Sequence, residues 1–569
     1  MSEKVPFSLP APVARPKSNR VLWSRLTIAA FALLSGVNFY RRLSGDCGHT
    51  ATRSYVGETV QWKPCGSIID HEIECADILV PMDQFDAVNS GDKTFQIPLI
   101  RLRGRNATQN LFVNPGGPGG SGINFMYRKG ELLNRIVGEN FHILSFDPRG
   151  VNSSLPRASC YPTSDTRVKH SLAFDSDAVR ESPSRYAWTQ NYVTACQENL
   201  GEHGKYINTP QTAADMNTIL DAIGQQDMVY WGFSYGTLLG QTYASLFPDR
   251  SKRVIIDGVV DQIQWYESPL LDADFVDTQN VLDGFFEECI KSADNCALSD
   301  LADSKEELQE KVVKFIQGLE QDPVSVFLNT TNYGTIDYKT IWFDAIFSHL
   351  YKPATWFEFA TRLSDLIRGN ATEAFLAYGT EDLSGVTDDA IDVVHLNDGA
   401  SGLKYWPHTR LELLDMLLPY YNSSSFAISE GQTYYAKQQW LIPRTHDFKA
   451  RRRIETAHPL LVLSTTYDPI CPLISAKGAQ ETFVGSRLVE VKGYGHCSLA
   501  VTSACVARHV RDFLDSGKLP EENVQCEVDE PYFQAPEPEE VLIAKLTTAE
   551  TEGERIRAAQ MLMAGQLRL

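Results

Sequence analysis

The stretch "VYWGFSYGTLLG", Val229 to Gly240, sets Ser234 between two glycines, directly after apolar residues and directly before a helical pattern. Gly232-Phe233-Ser234-Tyr235-Gly236 fits G-x-S-x-G, the nucleophile elbow, in which a strained strand-to-helix turn lifts a serine hydroxyl into the open. Glycines flank such a serine because side chains there would collide with the neighbouring strand and helix. The string alone also describes an ordinary glycine turn, so its surroundings decide. Asp227 to Trp231 is short, apolar and β-prone, as a buried strand is. Thr237 to Ala244 reads as a helix stopped by Pro248, and "RVIIDGVVD", Arg253 to Asp261, is another buried strand. Strand, turn, helix, strand is the order a parallel α/β sheet requires.

A serine nucleophile needs a base to take its proton, a carboxylate to orient that base, and donors for the oxyanion. In the α/β-hydrolase arrangement these follow in the chain order serine, acid, histidine. The base is read at His496: Leu488 to Val491 is a strand, Gly493-Tyr494-Gly495 a glycine loop, and the histidine falls at the strand's carboxyl edge, where sites of such sheets gather. His458 precedes its strand instead of following it. The acid is read at Asp468, on the loop after the strand "PLLVLS", Pro459 to Ser464, where Pro469 fixes the turn. Its rival is Asp257, whose glycine turn explains it structurally. Oxyanion donors are expected from the Tyr235 N–H and, in the glycine- and proline-rich "LFVNPGGPGGSG", Leu111 to Gly122, from the Gly117 N–H. A phosphate cradle would continue into Gly-Lys-Ser/Thr, which is missing here.

The 569 residues exceed one minimal domain but accommodate a large core with an inserted cap. A net charge of −20 and a pI near 5.1 argue against nucleic acid or an anionic membrane as the main partner. At the N-terminus Lys4, Arg15, Lys17, Arg20 and Arg25 precede an apolar run from Leu26 to Val37, the pattern of a secretory signal or a single membrane anchor. Eleven cysteines suit that route. Cys65 with Cys75, Cys160 with Cys196, Cys289 with Cys296 and Cys505 with Cys526 are plausible local pairs, although sequence does not fix connectivity, and no C-x-x-C points to a metal. Sequons at Asn106, Asn329, Asn370 and Asn422 fit a lumenal chain. A fifth, at Asn152, lies beside the expected site and is read as unused.

Taken together, "NPGGPGGSG" at 114–122, "FDPRGV" at 146–151, "GFSYGT" at 232–237, "YDPICP" at 467–472 and "GYGHCS" at 493–498 give the sequence a clear likeness. So does the tail "CVARHVRDFLDSGKLPEENVQC" at 505–526. The chain resembles the secreted tripeptidyl-aminopeptidase-like family of α/β-hydrolases, relatives of the proline iminopeptidases. The resemblance implies a Ser-Asp-His triad and cleavage of residues from peptide N-termini, with Asp147 and Arg149 bracing the site. It also suggests that Cys471 and Cys497, beside the acid and the base, bridge and stiffen their loops. A Cys-x-Asp element that many such proteins carry before the acid strand is absent from "QQWLIPRTHDF", Gln438 to Phe448.

The expected architecture is a mostly parallel sheet flanked by helices, with a large helical cap inserted before the acid strand. Its parts are a leader at 1–42, core at 43–261, helical cap at 262–455, core again at 456–530 and a helical tail at 531–569. The cap includes "SKEELQEKVVKFIQGLEQ", with Ser304 as its N-cap and Glu307 closing a capping box. The expected enzyme is a serine hydrolase that needs no metal or organic cofactor and acts on a peptide. An ester, lactone or amide of a small metabolite is the alternative substrate. From another class, an inactive hydrolase-like binding protein is weighed against by the retention of all three triad residues.

Overall fold

The strand before Ser234 carries almost no polar side chain, and Met228–Phe233 is buried at every position, as is Phe141–Phe146. Strands of this kind need cover on both faces, and that demand shapes the fold. In the computed structural model, which describes residues 55–172, 176–379 and 388–565, ten strands form one sheet. They are β1 (Lys63–Ile68), β2 (His71–Pro81), β3 (Thr94–Leu102), β4 (Gln109–Asn114), β5 (Phe141–Phe146), β6 (Met228–Phe233), β7 (Ser251–Asp257), β10 (Leu461–Tyr467), β11 (Arg487–Tyr494) and β12 (Val524–Glu527). The hairpin β8 (Val324–Asn329) and β9 (Asn332–Ile336) stands apart.

The sheet order is β1-β2-β3-β5-β4-β6-β7-β10-β11-β12. From β5 to β12 every pairing is parallel, while β1, β2 and β3 add an antiparallel edge. Alternation along the strands sends Phe112, Tyr230, Ile256 and Val462 to one face and Val113, Trp231, Ile255 and Leu463 to the other. The first face is covered by helices such as Thr209–Ala222 and Tyr235–Leu246. The second is covered by Gly122–Val137 and Ala504–Ser516, and by the tail helices Glu539–Thr548 and Glu552–Ala564. The tail is therefore part of the core: Leu546 and Met563 are fully buried on that face.

The insertion between β7 and β10 has its own apolar cluster around Phe285, Trp356, Phe359 and Leu413. Several expectations need correction. The cap is not purely helical, since it contains the β8–β9 hairpin. The first core segment also contributes to the support of the cap. The helix Ala178–Leu200 supports the cap through Arg185 Nη1 to Gln432 Oε1 at 3.0 Å and Tyr435 OH to Ser182 Oγ at 2.9 Å. Conversely, cap residues Val393, Leu396 and Ala436 pack into the sheet-face cluster. Ser304 does cap its helix, accepting from Glu307 N at 3.2 Å, but the Glu307 carboxylate pairs with Lys311 at 2.7 Å instead of closing the box.

All four local cysteine pairs are disulfides. Cys471 and Cys497 are not: both are buried free thiols, so the expected bridge between the triad loops does not form. Cys47 and the leader at 1–42 lie outside the described residues. Among the described residues no helix is long and apolar enough to cross a membrane.

A charged cluster anchors the far end of the helix Gly122–Val137. His71, 2 % exposed, bonds Glu131 Oε2 at 2.7 Å and Glu139 Oε1 at 3.0 Å, and Arg135 joins Glu131 at 2.5 Å. Burial alone would push the His71 pKa down, but the bonds to Glu131 and Glu139 prevail and raise it to about 9. A raised pKa contributes stability that is complete below the unfolded value near 6.5 and is lost as pH climbs through about 9. His71→Gln is therefore expected to lower unfolding stability by about 3 kcal/mol at pH 6. In denaturant titrations at both pH values the deficit should shrink by pH 9.5, and an equal deficit at both would exclude a charged His71.

Candidate active site

The parallel strands all end on one edge of the sheet, and four of those ends hold the residues that the sequence singled out. Ser234 follows β6 at φ 56°, ψ −127°, outside the regions open to most L-residues. Strand and helix approach so closely here that a Cβ at Gly232 would fall 2.3 Å from the Gly236 carbonyl oxygen. One at Gly236 would fall 2.7 Å from the Asn114 carbonyl oxygen of β4. Ser234 N donates to the Asp257 carbonyl at 3.0 Å, which ties the turn to β7. Within β6 and its turn the serine is the one residue that is not fully buried. Its side chain opens into a cavity.

His496 follows β11, and its Nδ1 lies 2.9 Å from both Asp468 Oδ1 and Oδ2. The same carboxylate accepts the backbone N–H groups of Ile470 at 3.0 Å, Cys471 at 2.8 Å and Cys497 at 3.0 Å. With no exposure and this many donors, the carboxylate is held in one orientation. Asp257 is engaged elsewhere: it accepts Ser498 N at 2.7 Å and Ser498 Oγ at 2.6 Å. Burial pushes its pKa up to about 6, against the pull of those bonds. Between the two candidates, Asp468 is the one hydrogen-bonded to His496. His458 sits apart, with Nδ1 2.9 Å from the Pro459 carbonyl and its ring against Phe513.

Among the described residues Ser234 Oγ has no hydrogen bond to His496. Its side chain faces the Cys471 thiol, whose pKa burial pushes up. The glycine loop after β4 closes over the elbow. A Cβ at Gly116, φ 100°, would lie 2.5 Å from the Phe233 carbonyl oxygen and 2.8 Å from Ser234 Cβ. That contact brings Gly117 to the cavity beside Ser234 and Tyr235. Asp147 braces the loop, accepting Ser121 Oγ at 2.6 Å and Ile123 N at 3.1 Å, and Asn152 Nδ2 at 2.8 Å. Arg149 is buried against Asp215, with Nε 2.7 Å from Oδ2. Both residues of "FDPRGV" thus hold structure. The Asn152 amide is occupied by Asp147, whereas Asn106, Asn329, Asn370 and Asn422 are exposed.

The cavity, about 380 Å³, lies between the elbow and the cap. Trp265, Leu271, Tyr351 and Ile470 supply apolar wall, and three carboxylates, Asp274, Asp392 and Glu430, also line it. Burial, and then the neighbouring Glu430, raise the Asp274 pKa well above its usual value. Burial and Asp392 likewise raise Glu430, with Lys437 opposing. Asp392 is pushed up to about 6 by burial, although Tyr192 OH donates to it at 2.6 Å. Acids raised in this way favour the arrival of a cation. No motif marked these three residues, because the cap that carries them has no sequence signature and its folding alone brings them to Ser234.

Several known hydrolases are similar to this chain in sequence. Residues 109–306 match the family described as alpha/beta hydrolase fold, and residues 431–526 match the family described as TAP-like protein. The serine protease Hip1 of Mycobacterium tuberculosis is 26% identical over 529 residues, which are 89% of this chain and 97% of that one. The tripeptidyl aminopeptidase of Streptomyces lividans is 25% identical, over 82% of this chain and 86% of its own. A protein named carboxylesterase B, also from M. tuberculosis, is 24% identical over 90% and 98%. With these matches and this sheet, the chain has the α/β-hydrolase fold, is similar to the TAP-like proteins, and is an enzyme of the serine hydrolase type.

Proposed function

We propose that the enzyme releases short pieces from peptides with a free N-terminus, through an acyl-enzyme on Ser234. The observation that carries this reading is the acidic wall of the cavity: Asp274, Asp392 and Glu430 line the same space into which Ser234 opens. A peptide's terminal ammonium restores charge balance among these acids, whereas a blocked terminus leaves them uncompensated. The missing Cys-x-Asp element is no obstacle on this reading, because these cap residues supply the amine-binding carboxylates.

In the reaction Ser234 turns from Cys471 toward His496, an adjustment of the kind catalytic hydrogen bonds make when substrate binds. Ser234 Oγ attacks the scissile carbonyl as His496 takes its proton, and Asp468 holds the imidazole and balances the imidazolium. The N–H groups of Gly117 and Tyr235 bind the oxyanion. His496 then gives the proton to the leaving amine, and water releases the acyl group by the same steps. An ester or amide of a small metabolite is the second reading, supported by the carboxylesterase relative. On either reading the secretory route is supported by the four disulfides and the four exposed sequons.

Ser234→Ala should cut turnover by roughly 10⁴-fold or more in a folded protein. Asp468→Asn should cost about 10⁴-fold and Asp257→Asn far less. Steady-state kinetics giving the reverse order would move the acid to Asp257. Glu430→Gln should raise KM for a free tripeptidyl amide by about tenfold, the value of a charged hydrogen bond, and narrow the gap to its N-acetylated form. An undiminished preference for the free amine would remove Glu430 from the site. Finally, the expressed full chain should shift on a gel after glycosidase treatment and run differently when reduced. A chain with neither change would contradict the secretory assignment.

A further inference from the structure

One buried charge takes no direct part in the chemistry. Lys352 lies in the cap at 1 % exposure, and its Nζ has no hydrogen-bond partner among the described residues. Its two chain neighbours both rest on the histidine loop. The Tyr351 carbonyl accepts the His496 N–H at 3.0 Å, and its ring meets the imidazole edge-on with centroids 4.8 Å apart. Pro353 packs so closely on Gly495 that a Cβ there would fall 2.6 Å from Pro353 Cδ. The segment Tyr351-Lys352-Pro353 is thus a strut from the cap onto the loop that carries the base.

An ammonium sealed from water without an acceptor is costly to bury, and it persists where nearby anions offset that cost. Burial pushes the Lys352 pKa down, and the Cys497 thiol, Asp257 at the end of β7 and Asp468 after β10 oppose that push. Lys129, on the helix Gly122–Val137, is the other cation within electrostatic reach. Asp257 and Asp468 are both wholly buried and bracket the loop, one holding Ser498 and the other holding His496 and Cys497. Two carboxylates so placed attract positive charge to the loop between them. A third charge of opposite sign beside them removes that pull.

We propose that Lys352 is a positioning residue of the triad: its ammonium is the cap's counter-charge to Asp257 and Asp468, and it keeps His496 available as a base while Tyr351 and Pro353 fix the loop. The proposal rests on the Ser234–His496–Asp468 reading. It gives the cap a second task, because correct seating of the cap then also tunes the base.

The test is the pH dependence of the rate at which a fluorophosphonate probe labels Ser234, which needs no knowledge of the natural substrate. In Lys352→Met the acidic limb should move to higher pH by on the order of one unit. Lys352→Arg, which keeps the charge, should stay with the wild type. Asp257→Asn should move the limb the opposite way, and Lys352→Met/Asp257→Asn should return it toward the wild type. A folded Lys352→Met enzyme with an unmoved limb would reduce Lys352 to packing and overturn the proposal. So would a double variant that keeps the whole upward shift. If Lys352→Met does not fold, Asp257→Asn decides alone, and an unmoved limb there overturns the counter-charge. Labelling that survives Ser234→Ala is a separate failure, since it sinks the serine reading itself.

Discussion

The backbone turn at Ser234 is the constraint from which the rest of the site follows. A non-glycine residue at φ 56°, ψ −127° costs on the order of 1–3 kcal/mol and persists only where its surroundings hold it. Here β6 and the helix Tyr235–Leu246 are pressed together through Gly232, and β4 lies against Gly236 with no room for a side chain. The Ser234 N–H is fastened to β7. The same closeness lets Gly116 lie on the elbow and brings Gly117 to the cavity. Relaxing the turn would therefore disturb both the serine and the loop that faces it.

Charge is distributed around this turn in two layers. Beneath it, in the core, Asp257 and Asp468 are buried and fully engaged by donors on the His496 loop. Above it, in the cap, Asp274, Asp392 and Glu430 face the cavity with fewer partners. The difference in hydrogen bonding separates a carboxylate that holds structure from one that is poised for a ligand. Cap cations accompany both layers, Lys437 near the cavity acids and Lys352 near the core pair. The cap is also tied to the core through the helix Ala178–Leu200, where Arg185 meets Gln432 and Tyr435 meets Ser182.

The core and the residues at its strand ends were largely legible in the sequence because each part has a local cause. A buried strand must be apolar throughout, a tight elbow must carry glycine, and a loop at a strand's end can be read from the strand. Hence Met228–Phe233, Ser234, Asp468 and His496 all lie where their local patterns put them. The choice between Asp468 and Asp257 was weaker, since both end strands. It turned on Ser498, whose amide and hydroxyl claim Asp257 across 241 positions of chain. The supposed Cys471–Cys497 bridge failed for a related reason: nearness to the same two loops does not set thiol geometry.

The sequence by itself determined the order of the strands along the chain, the elbow and its glycines, and the residues at the strand ends. These depend on periodicity and turn chemistry. Only the tertiary structure decided which aspartate meets His496, that Ser234 faces Cys471, and that the tail helices complete a sheet face. It alone brought Asp274, Asp392, Glu430 and Lys352 from scattered cap positions toward the strand ends that carry Ser234 and His496. The physical reason is that a buried charge is chosen by the charges that surround it after folding. Those surroundings come from segments whose own local patterns say only that they are helical.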